Sequence, residues 1–201
     1  MAFSFQRKAM LIVISAPSGC GKSTIVRAIL ERVDGLGYSV SATSRPRRSG
    51  EVEGKSYYFL SRQEFEQRIR SAAFLEYAEV HGNLYGTLRS EVEKNLARGL
   101  DVVMDVDVQG GLQLRRTVSD TLLIFLAPPS MEVLEKRLRG RASDSEDAIR
   151  LRLENAKREM RFWPQYDYVV LNESLEEAIH NVENVIRVER LRTSRLSVEE
   201  A

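Results

Sequence analysis

The sequence has little cysteine, little proline and no long apolar run, and each absence excludes a class of protein. The single cysteine, Cys20, excludes an internal disulfide and a cysteine-based zinc cage, which makes the reducing cytoplasm the expected compartment. Five prolines in 201 residues, with 43% hydrophobic residues, exclude a disordered or fibrous chain. No segment approaches the roughly 20 apolar residues that a membrane span requires, so no membrane partner is expected.

The sequence also lacks an excess of charge of either sign. Thirty Lys and Arg residues against 29 Asp and Glu residues leave a formal charge of +1, so no global field favours nucleic acid as a partner. Residues 7–16, two basic residues before an apolar run, have the composition of a short secretion signal. Cleavage there would separate a predicted strand from the loop that follows it, so we expect the segment to be retained.

Short apolar runs alternate with helical patterns along most of the chain. Residues 9–14 predict a buried strand, and the apolar spacing from 25 to 33 predicts a helix that ends near Gly35. Further strands are predicted at 100–106, 121–126 and 168–171, and a final helix from about residue 174. This alternation is typical of an α/β fold in which helices flank a mostly parallel sheet.

Two stretches interrupt this alternation. Residues 39–88 are rich in Tyr, Ser, Thr, Gly and Arg, with strand-like pieces around a helical pattern at 62–72, and they predict an inserted subdomain. Residues 134–163 are charged and helical, and they predict a mobile lid. The prediction is therefore a single domain, 8–197, whose core comprises 8–38, 89–133 and 164–197. The Arg- and Glu-rich end after Arg187 is predicted to be a solvated helix with a frayed tail.

A phosphate-binding loop is predicted directly after the first strand. Residues 16–23 read A-P-S-G-C-G-K-S and fit the pattern G-x-x-x-x-G-K-[S/T], with alanine in place of the first glycine. Gly19 and Gly21 allow successive N–H groups to point inward, and the following helix N-terminus adds partial positive charge. Lys22 supplies a full charge for the β- and γ-phosphates, and Ser23 a hydroxyl for Mg²⁺. The expected ATP-binding residues here are Ala16, Pro17, Ser18, Gly19, Cys20, Gly21, Lys22, Ser23 and Thr24.

The side chain of Cys20 occupies a variable position of this loop. It is interpreted as a small filler, and a thiol whose pKa is lowered by the helix N-terminus is the alternative. Farther along, residues 41–51, S-A-T-S-R-P-R-R-S-G-E, and 54–59, G-K-S-Y-Y-F, concentrate arginines and tyrosines. Arginine matches phosphate oxygens in pairs, so this region indicates either a second phosphate site or a solvated basic loop.

Together with F-L-E-Y-A-E-V-H-G-N-L-Y-G-T at 74–87 and D-V-D-V-Q-G at 105–110, these motifs resemble the guanylate kinase family. The resemblance covers about residues 10–195. It implies a P-loop core, a GMP-binding subdomain at 39–88 and a helical lid at 134–163. It also implies transfer of the terminal phosphoryl group of ATP to GMP, and to dGMP, giving ADP and GDP with Mg²⁺ in purine nucleotide metabolism and GMP recycling.

The resemblance also assigns roles to individual residues. The expected GMP-binding residues are Arg45, Arg48, Tyr57 and Tyr85 for the phosphate, Ser41, Glu76 and Thr87 for guanine, and Asp105. The expected catalytic residues are Lys22 and the lid arginines Arg137, Arg141 and Arg152; Asn172 is placed near the adenine of ATP. Asp107 is placed near hydrated Mg²⁺, with helix capping as its alternative, and the lid arginines have ion pairing along their helices as theirs.

Two other functions fit part of this pattern. A guanylate-kinase-like scaffold module would hold a phosphorylated peptide in the acceptor cleft without chemistry, but by resemblance such modules usually have degraded phosphate loops. A P-loop kinase for another nucleoside monophosphate would share the donor site and differ at Glu76, whose carboxylate can accept the N1–H and N2–H donors of guanine. The expected partners are the small molecules ATP and GMP, and the oligomeric state does not follow from the sequence.

Overall fold

The computed structural model of the chain describes residues 3–80, 82–140 and 145–200, and these form strands β1–β11 and helices α1–α7. The strands are β1 Phe3–Arg7, β2 Leu11–Ser15, β3 Leu36–Tyr38, β4 Ser41–Thr43, β5 Tyr58–Phe59, β6 Phe74–Val80, β7 Asn83–Leu88, β8 Asp101–Asp105, β9 Leu122–Ala127, β10 Tyr168–Leu171 and β11 Leu196–Glu200. The helices are α1 Lys22–Arg32, α2 Arg62–Arg70, α3 Arg89–Ala97, α4 Val108–Thr117, α5 Met131–Arg139, α6 Glu146–Glu159 and α7 Leu175–Glu189. Two 3₁₀ helices cover Met160–Gln165 and Thr193–Arg195.

The main sheet has the strand order β10-β9-β2-β8-β3, and every neighbouring pair is parallel. The strands predicted at 9–14, 100–106, 121–126 and 168–171 are confirmed as β2, β8, β9 and β10, with ends shifted by one or two residues. The predicted α/β class with a parallel core is therefore confirmed. Because all five strands run the same way, their carboxyl ends share one edge, which is where an open α/β sheet binds ligands.

The core lies on both faces of this sheet. On one face the fully buried side chains Ile12 and Ile14 of β2 pack in a cluster with residues of α1, α5 and α7. On the other face Leu11 and Val13 pack in a cluster that includes Val92 of α3. Complete burial of an aliphatic side chain contributes about 1.5–3 kcal/mol to the stability of the fold. The buried strand β2 therefore fixes the position of the loop that follows its carboxyl end.

A second sheet, ordered β5-β4-β7-β6, is built entirely from residues within the predicted insertion 39–88. Its β4–β7 and β6–β7 pairs are antiparallel, and its β4–β5 pair is parallel. Helix α2 starts with a capping box between Ser61 and Glu64, and its Phe65 stacks on Phe74 at 4.3 Å between ring centroids. This small hydrophobic core is separate from the core of the main sheet, and it supports the second sheet beside it.

The end of the chain corrects the prediction of a solvated, frayed helix after Arg187. Helix α7 ends at Glu189, and residues 196–200 form a strand that pairs antiparallel with β1. The physical reason is Arg195, which is only 3% exposed and forms ion pairs with Asp120 at 2.8 Å and with Glu189 at 3.4 Å. A buried charged side chain with two ion-pair partners fixes the chain direction, and composition alone does not reveal those partners.

The predicted lid, 134–163, comprises most of α5, all of α6 and part of the 3₁₀ helix that follows. Ser130 and Ser145 cap α5 and α6 by accepting hydrogen bonds from Val133 N and Ala148 N. The mobility of this segment and the domain boundaries stay predictions. Among the helices of the described ranges, none combines the length and the apolar character needed to cross a membrane.

Candidate active site

The predicted phosphate loop connects β2 to α1 and surrounds a cavity of about 410 Å³. Gly19 and Gly21 adopt φ values of +94° and +76°, which side-chain-bearing residues rarely adopt, so the glycines in the motif have a conformational reason. All nine residues from 16 to 24 line the cavity, together with Asp107 and Glu159. The loop therefore presents its backbone to one concave space at the N-terminus of α1, as an anion site requires.

Lys22 is the first residue of α1 and reaches across the edge of the sheet. Its Nζ donates a hydrogen bond of 2.9 Å to the carbonyl oxygen of Val106, just beyond the end of β8. Lys22 and Ser23 line the loop cavity and also a second cavity of about 360 Å³. The ammonium group therefore lies between the two cavities rather than inside one of them.

Asp105 is the last residue of β8, and Asp107 follows two residues later. Both residues line the second cavity, and Asp107 also lines the first. The alternative for Asp107, helix capping, is confirmed, because its Oδ1 accepts a 2.7 Å hydrogen bond from Gly110 N at the start of α4. Capping uses one carboxylate oxygen and leaves the other for a ligand.

The second cavity lies between the main sheet and the smaller sheet. Five of the expected GMP-binding residues line it, namely Ser41, Tyr57, Glu76, Tyr85 and Asp105. They come from four strands and one loop that are far apart in sequence. The insertion thus supplies one wall and the end of β8 the opposite wall.

Glu76 lines this cavity and is 6% exposed, and its neighbour Thr87, which does not line the cavity, is 0% exposed. The two residues pair across β6 and β7, and Thr87 Oγ1 donates a 2.8 Å hydrogen bond to Glu76 Oε1. A Cβ on Gly110 would lie 3.0 Å from Glu76 Oε2, so the glycine leaves room for the carboxylate.

The environment of Glu76 disfavours its ionised form. Burial, assisted by repulsion from Asp107, raises the pKa of Glu76 to about 7, although the Thr87 bonds and the charge of Lys22 act in the opposite direction. A buried carboxylate with a raised pKa in a cavity is typical of a functional group, because such burial is otherwise unfavourable. It is available to accept hydrogen bonds from a ligand.

The basic loop lies next to this region through Tyr57, and one of its arginines, Arg45, is already paired. Arg45 forms a two-pronged ion pair with Glu51, with distances of 2.6 and 3.1 Å. Its guanidinium lies 5.5 Å from the centroid of the Tyr57 ring, and Tyr57 lies 6.0 Å from the Tyr85 ring. Arg48 is exposed, and its backbone N–H donates to Glu51 at 2.7 Å. The loop is therefore organised around Glu51, a residue to which sequence reasoning gave no role.

The three predicted lid arginines lie in different places. Arg137 lies on α5, donates a 3.3 Å hydrogen bond to the carbonyl oxygen of Glu173, and lines a third cavity of about 400 Å³. This cavity also includes Asn172 and loop residues Gly19, Gly21 and Thr24. Arg152 lies on α6 and is half-buried. Arg141 lies outside the described residues.

Asn172 connects the phosphate loop to the end of β10. It is only 3% exposed, and its Nδ2 donates a 2.6 Å hydrogen bond to the carbonyl oxygen of Cys20. Cys20 itself is 1% exposed, and burial raises the pKa of its thiol to about 12, although nearby Arg137 acts to lower it. The filler interpretation of Cys20 therefore stands, and the alternative of a lowered thiol pKa does not, because burial outweighs the nearby charge of Arg137.

Sequence reasoning gave no role to two residues that line these cavities, Tyr38 and Glu159, and to one that organises the basic loop, Glu51. Tyr38, at the end of β3, donates a 2.8 Å hydrogen bond to Asp105 Oδ1. Glu159, at the end of α6, lines the loop cavity, and burial raises the pKa of its carboxyl group. Glu51 is the third. The position of Tyr38 at the end of a strand could have indicated a site residue. Glu159 and Glu51 gave no such signal, because an acidic residue in a charged helix or loop is ordinarily solvated.

A parallel sheet with a phosphate loop at its carboxyl edge, joined to a second polar cavity by a shared lysine, defines a P-loop phosphotransferase with a separate acceptor site. The family model for guanylate kinase matches residues 8–189, and the chain belongs to the guanylate kinase family. A guanylate kinase of Thermotoga maritima is 46% identical over 188 residues, covering 94% of this chain and 91% of that protein.

Two further comparisons agree. A guanylate kinase of Rhizobium etli is 49% identical over 190 residues, covering 94% of this chain and 86% of that protein. The crystal structure of guanylate kinase from Anaplasma phagocytophilum superposes with a TM-score of 0.80 at 34% identity, covering 96% of this chain and 92% of that one. The predicted family and fold are therefore confirmed over nearly the whole chain.

Proposed function

We propose that this chain transfers the terminal phosphoryl group of ATP to GMP, giving ADP and GDP, with the loop cavity as donor site and the second cavity as acceptor site. The observation that carries the proposal is that the two cavities have Lys22, Ser23 and Asp107 in common. A phosphoryl group moves directly from donor to acceptor, so the two sites must meet where the charge develops. Membership of the guanylate kinase family supports the same reaction.

On the donor side the backbone N–H groups of residues 16–24 hold the phosphates, and Lys22 neutralises the charge of the transferring group. Asn172 and Arg137 line the neighbouring cavity, which has the position and size for the adenine and ribose. Arg137, Arg141 and Arg152 add positive charge from the lid. Because the transition state is loose, positioning and positive charge carry the catalysis and no general base is needed.

On the acceptor side Glu76 accepts the two adjacent donors of guanine, N1–H and the N2 amino group, and Ser41 and Thr87 complete the guanine site. Adenine has no such donor pair, so its binding would leave a buried carboxylate unpaired. Arg45, Arg48, Tyr57 and Tyr85 hold the GMP phosphate, and Asp105, held by Tyr38, contacts the nucleoside. The same contacts admit dGMP.

Magnesium is the cation that we propose for the donor site, bound through water by Ser23 and Asp107. The fit rests on the Ser23 hydroxyl and the uncapped oxygen of Asp107, which line one cavity with the loop. Within the described ranges no group of three or more His, Cys, Asp or Glu residues is arranged to hold a metal, and Mg²⁺ suits such a site because it keeps most of its water. When bound, it neutralises phosphate charge.

We also propose that the chain acts in the cytoplasm on small-molecule substrates, and not as a scaffold module for peptides. The intact loop with Lys22 and Ser23, and relatives named guanylate kinase, support an enzyme over a scaffold. The buried free thiol of Cys20 agrees with a reducing compartment.

The test is an assay of ATP-dependent ADP release with GMP, dGMP, AMP, CMP and UMP, with and without Mg²⁺. We expect turnover with GMP and dGMP, and kcat/KM for AMP lower by about 10⁴-fold, since a site built for guanine donors rejects a base that lacks them. Lys22→Ala, prepared in the same way, controls for contaminating kinases. Preference for another monophosphate would contradict the role of Glu76, and no ADP release with any acceptor would favour the scaffold.

A further inference from the structure

The carboxylate of Glu51 binds two neighbouring parts of the basic loop at once. Its Oε1 accepts from Arg45 Nη2 at 2.6 Å, and its Oε2 accepts from Arg45 Nη1 at 3.1 Å. The same Oε2 accepts from the backbone N–H of Arg48 at 2.7 Å. One side chain thus joins the two arginines that are proposed to hold the GMP phosphate, and these bonds keep the pKa of the Glu51 carboxyl below its usual value.

The way in which Arg45 is bonded leaves one particular edge of its guanidinium available. A guanidinium has five N–H donors. Nη1 donates to Glu51 and, at 2.7 Å, to the carbonyl oxygen of Pro46, and Nη2 uses one hydrogen for Glu51. Nε–H and the second Nη2–H are not used by Glu51 or Pro46, and together they form the planar fork that matches two phosphate oxygens. Tyr85, a residue of the acceptor cavity, interacts with this guanidinium.

The packing around the pair restricts its rotation. The Arg45 side chain is 11% exposed and the Glu51 side chain 20% exposed, so both are largely covered. The guanidinium also lies 5.5 Å and 5.9 Å from the ring centroids of Tyr57 and Phe59. An arginine held in this way has already lost most of its rotamer freedom, so a phosphate that binds to it is spared that entropy loss.

We propose that Glu51 is a positioning residue for the acceptor phosphate: it holds the Arg45 guanidinium beside Tyr57 and Tyr85 of the cavity wall, and it draws the Arg48 backbone to the same place. This inference rests on the proposed function, because it takes GMP as the acceptor. The opposite role is that Glu51 imitates a phosphate and competes with it for Arg45. The two roles predict opposite signs, since loss of a positioning residue weakens GMP binding and loss of a competitor strengthens it.

The deciding experiment compares wild type with Glu51→Gln, which keeps the side-chain volume and removes the charge and one acceptor. We expect KM for GMP to rise about 10-fold, with KM for ATP unchanged and kcat at saturating GMP little changed. The inhibition constant of guanosine, which has no phosphate, should not move. Glu79→Gln is the matched control, because Glu79 pairs with Arg62 on the same subdomain at 3.1 Å and should leave both KM values unchanged.

A double-mutant cycle with Arg45→Ala separates positioning from general loosening of the loop. If Glu51 acts through Arg45, Glu51→Gln should have no further effect on KM for GMP once Arg45 is gone. Full additivity, an unchanged or lower KM for GMP in Glu51→Gln alone, or a parallel weakening of guanosine would each overturn the proposal. Wild type is measured first. Absence of wild-type turnover with GMP would contradict the proposed function, whereas normal wild-type turnover with an unaffected Glu51→Gln variant would contradict only the role of Glu51.

Discussion

The loop cavity and the second cavity, which we propose as the donor and acceptor sites, lie side by side, yet they are built in opposite ways. The donor cavity is lined almost entirely by nine consecutive residues, 16–24, and its polar groups are mainly backbone N–H groups. The acceptor cavity takes side chains from β3, β4, β6, β7 and β8 and from the loop before β5. One site is therefore a local backbone conformation that a short motif specifies, and the other is an assembly that exists only when two sheets are folded together.

The two sites also differ in what they bury. The donor loop buries an uncharged thiol, Cys20, and exposes its polar groups to the cavity. The acceptor site buries an ionisable carboxylate, Glu76, beside Asp107, and its pKa rises to about 7 as a result. Selectivity for a base requires such buried polar partners, whereas binding of phosphate requires only charge and N–H groups. The acceptor site should therefore respond to pH more strongly than the donor site, whose carboxyl group with a raised pKa, Glu159, is only half-buried.

The largest effect is expected from Lys22→Ala, which removes the positive charge that the two cavities share among the residues that the structure describes. We expect kcat to fall by 10²-fold or more, roughly the loss seen when one preorganised electrostatic contact is removed from a transition state. The fold should persist, because Lys22 makes one hydrogen bond, to Val106 O, and is only half-buried. ADP release measures the first point, and the thermal midpoint the second.

Lys94→Ala, on the exposed side of α3, is the matched control and should leave kcat unchanged. Near-normal turnover in Lys22→Ala would contradict the assignment of the loop as donor site. A thermal midpoint lowered by many degrees in Lys22→Ala would show instead that the lysine is structural. The loss of activity would then say nothing about how the loop cavity binds its ligand.

A smaller effect, confined to the acceptor side, is expected from pH. Guanine needs the ionised Glu76 as acceptor, and lowering the pH from 8 to 6 cuts the ionised fraction roughly 10-fold for a pKa near 7, so KM for GMP should rise by about that factor. KM for ATP should change much less. Glu76→Gln serves as control, because its KM for GMP follows only the titration of the nucleotide's own phosphate.

The same residue links pH to stability, with a definite sign. The folded-state pKa of Glu76 lies above its unfolded value, so its contribution to stability is complete below about pH 4.5 and is lost as the pH rises through 7. Glu76→Gln should therefore raise the thermal midpoint by a few degrees at pH 8 and by much less at pH 5. Equal shifts at both values would contradict the raised pKa.

The contrast between the sites explains how much of the molecule could be predicted from the sequence. The strand, the glycine turn and the helix around 16–24 follow from local patterns, and the four main strands follow from apolar runs. The role of Glu76 follows only from family resemblance, because no local pattern identifies a carboxylate that a second sheet buries. The arginine-rich segment 41–51 indicates a second phosphate site or a basic loop by itself, and the resemblance adds the role of Arg45. Glu51 was quoted within a motif and given no role, since its importance lies in bonds to Arg45 and Arg48. The partner strands β1 and β11 were missed because their pairing joins opposite ends of the chain.

The smallest effect is expected at Cys20, and it tests whether the donor loop works through its backbone. Cys20→Ala keeps every N–H group of the loop and the 2.6 Å bond from Asn172 to the carbonyl oxygen of residue 20, so kcat/KM should stay within about 2-fold of wild type. Iodoacetamide at pH 8 should leave the folded enzyme active, because a buried thiol with a pKa of about 12 is almost wholly protonated.

Gly19→Ala is the matched contrast at the preceding position. Its φ of +94° disfavours any side chain, and the added Cβ would lie 2.8 Å from Leu138 Cδ2 of α5. Gly19→Ala adds only a methyl group, yet it should weaken ATP binding far more than Cys20→Ala. If Cys20→Ala were the more damaging of the two, or if ATP protected the enzyme from rapid inactivation by iodoacetamide, the donor site would depend on a side chain. The donor and acceptor sites would then be alike in construction, because each would bind its ligand through buried side chains.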